Sequence, residues 1–586
     1  MTGMIRDTDK NFCAILFDVM EKSGVKDVVC CPGSRNAPLI IAAAARDGLR
    51  KHNVIDERSA AFMALGMASV SRRPVALICT SGTALLNFAP AVAEAFYQAL
   101  PLIVISADRP EQWIDQDDSQ TLRQFEALSN FVKQSYELPA WGNDDGELLW
   151  YANRIANDAM IEATSRRRGP VHINVRIGEP LGGKTFRTCV APRVIEMISS
   201  DGIVNREIIR EMAEKVAKSK VMFVAGFLSP DSRLHKAAGE LCSLPDVVAM
   251  TETLSNLHLP DNACGVDSVL TAFPEEELDA MSPDIVISIG GSLVSRKLKE
   301  YLRRNRGRCE HWALGWNHTT SDCFMSLTRR IEADPARFIH QLAVVTGKII
   351  EKRHRITLQG QDSPLDYRDV WKNARLRAKA VKQKYVADAP WSELKAFEII
   401  NEMLPSDANL FLSNGTSVRY AQITGSRLPH ASYCNRGVSG IDGSCSTAVG
   451  GAKMYKGTTV MVTGDMSMAY DVGSLSLPDI PSRMKIIVID NSGGGIFRFI
   501  PSTSSLEERE QYFCCAPILP LSHLAEGYGW EYSEAQDAVG LRSGLRKLFG
   551  SSRKGILRIV CDGELGAGVL KEYMNIKVKK KDNSNV

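Results

Sequence analysis

Two runs of strand length, Thr459–Val462 and Lys485–Asp490, end in sequences that a buried strand could not contain. The first opens into Gly464-Asp465-Met466-Ser467. The second opens into Asn491 and then, after one serine, Gly493, Gly494 and Gly495. Short apolar runs joined by a segment long enough for a helix predict neighbouring strands of a parallel sheet, with Asp465 and Asn491 at two carboxyl ends. Ligands collect beyond the carboxyl ends of such sheets. Asp465 offers a carboxylate, Asn491 an amide oxygen, and the main chain near Gly493 a carbonyl, three hard oxygens suited to Mg²⁺. Mg²⁺ keeps few protein ligands and completes its shell with phosphate and water, so this set predicts a bound diphosphate. The glycines let the backbone approach it closely. The same residues also fit an ordinary βαβ unit with one polar loop and one Gly-rich loop, so the rest of the chain must decide.

A chain of 586 residues is too long for one core and predicts about three domains. A formal net charge of +3, with no basic block before the tail, argues against nucleic acid as a partner. The start, MTGMIRDTDK, is polar, and no apolar run approaches the ~20 residues of a membrane span. The 14 cysteines are scattered or adjacent, as at Cys30-Cys31, and never form CxxC. That pattern predicts reduced thiols in a cytoplasmic protein and not a zinc site or disulfide framework.

Read in order, residues 1–185 alternate helical and strand patterns, with strands at Val25–Cys30, Val75–Cys79, Leu102–Ser106 and Val171–Val175. After the first strand comes CPGSRNAPL, a turn opening a helix of small residues. A helix start beside Ser34 and Arg35 can hold an anion, although from the turn alone a capped helix with a solvated arginine is the better explanation. Glu57 falls where a short strand around Val54 meets an Ala- and Met-rich helix, a position that usually complements the helix dipole. Residues 190–350 form a second α/β unit with strands Val221–Ala225 and Ile285–Ile289, and residues 351–392 read as a linker and a solvated helix. A third α/β unit spans 393–575, with strands Leu410–Leu412 and Leu557–Val560 flanking the opening motif, and 576–586 reads as a frayed tail. The expected fold class is α/β, three doubly wound domains with mainly parallel sheets.

PGSRNAPL, DERSAAFMALGMA, TSGTALLN, SADRP, GPVHINV, NRGVSGIDGSCSTAVG and GDMS…NSGGGIF occur in one order across most of the chain. Together they resemble the 2-succinyl-5-enolpyruvyl-6-hydroxy-3-cyclohexene-1-carboxylate (SEPHCHC) synthases, thiamin diphosphate (ThDP)-dependent enzymes of menaquinone biosynthesis. The resemblance implies that the first domain binds the cofactor's pyrimidine and the third its diphosphate, between two subunits of a homodimer or homotetramer. It implies joining of 2-oxoglutarate and isochorismate, with Mg²⁺, or alternatively Mn²⁺, held by Asp465, Asn491 and Gly493. Glu57 would act as acid toward the aminopyrimidine ring. Asn414, Ile441, Gly464, Met466, Ser467 and Gly494 would complete the cofactor site. Arg419, Arg436 and Thr416 would face the succinyl side. Ser34, Arg35, Arg109, Gln120 and Arg296 would face isochorismate, with Ile496 and Phe497 lining the substrate space. Other ThDP enzymes, such as 2-oxo acid decarboxylases or acetohydroxyacid synthase, share Glu57 and Asp465, and a silent ThDP-fold binding protein is a third reading.

The chain departs from the family's pattern at two places. Gly415 stands where the family often has Ser, which makes Thr416 the expected hydroxyl donor. Arg296 stands where it often has Lys, with Lys297 next.

Overall fold

The computed structural model describes residues 6–140, 146–186, 192–200, 202–259, 265–316, 321–356, 366–424 and 429–579. The ends of the chain discussed above, 1–5 and 580–586, lie outside these residues. The first unit pairs β1 (Arg6–Thr8) antiparallel with β8 (Lys184–Phe186) beside a six-stranded parallel sheet. That sheet holds β2 (Asp27–Cys30), β3 (Arg50–Asn53), β4 (Val75–Cys79), β5 (Leu102–Asp108), β6 (Ser135–Leu138) and β7 (Val171–Arg176), in the order β3-β2-β4-β5-β7-β6. The strand expected around Val54 lies earlier, at Arg50–Asn53, a polar edge segment paired with β2.

The second unit is a five-stranded parallel sheet, β10-β9-β11-β12-β13, built from β9 (Val221–Ala225), β10 (Val247–Thr251), β11 (Ile285–Ile289), β12 (Glu310–Leu314) and β13 (Leu327–Ile331). The third comprises β14 (Asn409–Leu412), β15 (Ala431–Cys434), β16 (Thr459–Gly464), β17 (Met484–Asp490), β18 (Glu531–Ala535) and β19 (Gly555–Val560). It runs β15-β14-β16-β17-β19-β18, all parallel. Counted from β2 and from β14, the first and third sheets share one strand order, so the chain contains two copies of one topology.

These two copies share a core. The helix Glu57–Ser71 of the first lies on Ser444–Met454 of the third, and buried residues from both sheets form one cluster. Alanines and glycines bring the two backbones together. A Cβ on Gly66 would lie 1.8 Å from the Thr447 carbonyl oxygen, and one on Gly450 would lie 2.0 Å from that of Met63. The helix Tyr367–Asp388 is less solvated than its charged sequence predicts. Tyr367, Trp371, Ala374 and Ala378 bury a stripe against the second unit, with Trp371 edge-on to Tyr301 at 6.1 Å. The start of the tail also docks, because Val578 N donates to Ala272 O at 2.8 Å. All the described cysteines are free.

Candidate active site

In a doubly wound sheet the crevice opens where successive connections leave to opposite faces, here between the first and third strands of each copy. Asn414 and Arg419 follow β14, Arg436 follows β15, Asp465 follows β16 and Asn491 follows β17. Asp465 is buried, and its carboxylate accepts from Met466 N (2.8 Å) and Gly493 N (2.7 Å). The second contact requires a sharp turn. Ser492 and Gly493 both have positive φ, and a Cβ on Gly493 would lie 2.2 Å from the Cys514 carbonyl oxygen. Burial, with Asp490 adding, pushes the Asp465 carboxyl up to about 7.

Asn491 is buried too, and its Nδ2 donates to Glu393 Oε1 at 2.7 Å. Its Oδ1 has no donor among the described residues. The Gly493 carbonyl accepts from Gly495 N at 2.9 Å and keeps a second lone pair. A buried carboxylate beside a second carboxylate, an unused amide oxygen and a main-chain carbonyl fit a small hard cation. The fit rests on one carboxylate and two neutral oxygens, a set that calls for phosphate to complete the coordination.

Around this cluster the expected cofactor residues converge. Ser467 Oγ donates to Ile441 O at 2.6 Å, tying the Ile441 loop to the Asp465 turn, and Gly464 N donates to Ser413 Oγ at 3.3 Å. Met466, Gly494 and Phe497 are in contact, since a Cβ on Gly494 would meet both the Phe497 ring and the Met466 sulfur. Ile496 is half-buried on the same short helix, Gly495–Phe499. Asn414 departs from its expected cofactor role in one respect. Its amide is used within the chain, donating to Asn435 O (2.6 Å) and Gly440 O (2.7 Å) and accepting from Arg436 Nη1 (3.0 Å). It is a strut for Arg436.

Arg436 and Arg419 are near neighbours. Burial, then the Arg436 charge, holds Arg419 below its ordinary value. Arg419 also donates to Gly415 O. Gly415 has φ +93°, so this backbone favours glycine where a Ser would be strained. The Thr416 hydroxyl has no partner among the described residues, while Ser413 Oγ donates to Ser417 Oγ at 3.3 Å.

The second unit approaches from the other side. Buried Glu252, just after β10, accepts from Val294 N (2.7 Å) and Ser295 N (2.6 Å), and burial pushes its carboxyl up to about 7. Ser295 Oγ donates to half-buried Asp267 at 2.5 Å, and Asp267 feels both Arg419 and Lys297. Arg296 does not join them. Ser295 caps the helix Arg296–Arg304, and that start turns Arg296 outward, 85 % exposed and paired with Glu300 at 2.7 Å. Lys299, whose ammonium burial holds down, feels the charges of both Glu252 and Arg436.

At the first copy's strand ends, Arg35 is buried, donating from Nη1 to Ile177 O (3.0 Å) and pairing with Glu179 (3.2 Å). Arg109 pairs with Asp118 at 2.6 Å. Burial, with Arg109 adding, holds Arg35 below its ordinary value, so the two arginines share one charged region. Gln120 sits at positive φ with its backbone against Gly82, and both it and Ser34 are exposed. Glu57 is half-buried at the first position of its helix, where Asp56 serves as N-cap, and its charge helps raise the thiols of Cys31 and Cys79. Buried Glu94, also in this unit, accepts from Gly437 N (2.5 Å) and Val438 N (2.7 Å) and so steadies the loop behind Arg436.

Sequence reasoning missed Glu94, Glu252, Asp267, Lys299 and Glu393. Glu252 follows an apolar run and could have been flagged as an acid at a strand end. Glu393 opens a helix and looks like ordinary dipole complementation.

Two parallel sheets of one strand order, packed through a shared core, with a buried carboxylate–amide cluster at the strand ends of one and a helix-starting Glu on the other, have the layout of a ThDP-dependent enzyme. Residues 10–127 match the family model described as thiamine pyrophosphate enzyme, N-terminal TPP binding domain. The chain is 39% identical to the SEPHCHC synthase of Porphyromonas gingivalis over 97% of each chain. It is 34% identical to that of Flavobacterium johnsoniae, over 95% of this chain and 97% of that protein. It is 32% identical to that of Bacteroides thetaiotaomicron, over 97% and 98% respectively. The chain belongs to the SEPHCHC synthase family of ThDP-dependent enzymes. Among the described residues, no helix is long and apolar enough to cross a membrane.

Proposed function

We propose that this chain decarboxylates 2-oxoglutarate and adds the succinyl unit to isochorismate in a 1,4-addition, forming SEPHCHC for menaquinone biosynthesis. Bound ThDP supplies the electron sink for the carbanion left when a 2-oxo acid loses CO₂. Asp465, Asn491 and the Gly493 carbonyl would hold Mg²⁺, with Mn²⁺ an alternative, which would neutralise diphosphate charge. Ile441, Gly464, Met466, Ser467 and Gly494 shape the rest of the cofactor site, and the Glu57 carboxyl holds a proton for the aminopyrimidine ring. Residues 1–185 serve the pyrimidine, 393–575 the diphosphate and 190–350 a supporting central unit. The active form is a cytoplasmic homodimer or homotetramer whose sites are completed across subunits.

The observation that carries this reading is the pair of separate arginine groups, Arg419 with Arg436 and Arg35 with Arg109, in each of which burial and then the neighbour's charge hold one guanidinium below its ordinary value. Arg419 and Arg436 form no ion pair among the described residues, Arg35 and Arg109 hold the acids Glu179 and Asp118 that an incoming carboxylate would have to replace, and guanidinium forks match carboxylates. Two dianionic substrates would supply such carboxylates, one on each side. Steady-state kinetics test the division. Arg419→Ala and Arg436→Ala should chiefly raise KM for 2-oxoglutarate, by about tenfold or more. Arg35→Ala and Arg109→Ala should chiefly raise KM for isochorismate. Equal effects of all four changes on both substrates would remove the two-sided layout.

A further inference from the structure

Glu393 opens the helix Glu393–Met403, far along the chain from Asn491, yet its buried Oε1 accepts from Asn491 Nδ2 at 2.7 Å. A Cβ on Gly566 would lie 1.7 Å from Glu393 Oε2, so the carboxylate fills space that only a glycine leaves. The main chain of Asn491 is held separately. Arg498 Nη1 donates to Asn491 O at 2.8 Å and Nη2 to Ser492 O at 2.9 Å, and Glu510 in turn pairs with Arg498 at 2.7 Å. Among the described residues Glu393 makes no hydrogen bond to Arg498 or to this backbone, although it feels the Arg498 charge, and its one side-chain hydrogen bond here is from the amide.

We infer that Glu393 is a positioning residue for the metal site: it takes the NH₂ end of the Asn491 amide and leaves Oδ1 as the end available to a cation. This rests on the Mg²⁺–ThDP reading above. An amide can present either end, and a metal accepts only the oxygen. The two orientations have the same shape, so packing cannot select between them. A carboxylate can, because its Oε1 accepts from the NH₂ and would repel the amide oxygen. Partners of this kind, which orient a ligand without touching the metal, are typically worth about 10–100-fold in metal affinity. Complementing the helix dipole needs neither burial nor a contact with Asn491, and any acid in the first turn would provide it.

The test exchanges donor and acceptor. Mn²⁺ binding to the full chain is titrated by electron paramagnetic resonance in the presence of ThDP, at fixed, mildly alkaline pH, with folding followed by circular dichroism. Asn491→Asp sets two carboxylates against each other and should weaken Mn²⁺ binding at least about tenfold. Adding Glu393→Gln to that variant restores a donor facing an acceptor and should return the affinity to within about threefold of the parent. A second substitution that repairs binding is a result structural damage cannot imitate. Glu393→Leu alone, if folded, should lose about tenfold or more. A double variant no tighter than Asn491→Asp, or a folded Glu393→Leu that binds Mn²⁺ like the parent, overturns the inference. Failure of the parent to bind Mn²⁺ with ThDP would instead remove the metal reading, and this inference with it. Asp465→Ala, expected to lose binding, marks the floor.

Discussion

Glu57 owes its place to its neighbours. Asp56 takes the capping duty, accepting from Arg58 N at 3.0 Å and from Ser59 Oγ at 2.8 Å, which leaves the Glu57 carboxyl without a structural task among the described residues. Glu57→Gln keeps the shape and the helix start but removes an acid, so turnover should fall by about 10²–10⁴-fold while the diphosphate end still binds. Thiazolium proton exchange, followed by deuterium incorporation, reads the step directly, and an unchanged exchange rate would deny Glu57 its role. At the same scale Gly415 has a local explanation. Its positive φ makes glycine the unstrained choice, so the departure from Ser fits the backbone geometry, and the Thr416 hydroxyl beside it has no partner among the described residues.

The contact between Glu57–Ser71 and Ser444–Met454 shows how little room one pair of elements leaves. Gly450→Ala drives a methyl into the Met63 carbonyl, and overpacking of this kind costs about 1–3 kcal/mol or more. Gly568, inside the helix Gly563–Asn575, has nothing within 4 Å of the point where a Cβ would stand, so Gly568→Ala should gain about 0.5–1 kcal/mol. Thermal unfolding of the two variants should move in opposite directions, and equal shifts would contradict this packing. The same burial decides which elements are legible in the sequence. β4, β9, β11 and β17 are buried interior strands whose apolar runs stand out. Edge strands such as β3 (RKHN) and β13 (LTRRI) are partly exposed, and their sequences read as loop or place the strand a few residues away. β12 (EHWAL) is interior but polar at its start, and its sequence does not announce a strand either.

Across the whole molecule, two sheets of one strand order bring the main site residues to strand ends. That is why ordered motifs scattered over most of the chain could be read as one site. Of the acids around these residues only Glu252, directly after an apolar strand, left a signal in the sequence. Glu94, Glu252, Asp267 and Glu393 act on residues far away in the sequence, and only the fold sets those distances. Arg296 is turned to solvent and paired with Glu300 by a helix start that Ser295 caps, an orientation its sequence alone does not show. The central claim is that these parts make one carboligating enzyme. Its most direct test supplies the protein with ThDP, Mg²⁺ and 2-oxoglutarate, with and without isochorismate, and identifies products by mass. The account predicts CO₂ together with an adduct carrying the succinyl unit on the isochorismate skeleton, formed only when both substrates are present. Decarboxylation that ignores isochorismate, or no turnover of 2-oxoglutarate at all, would contradict it.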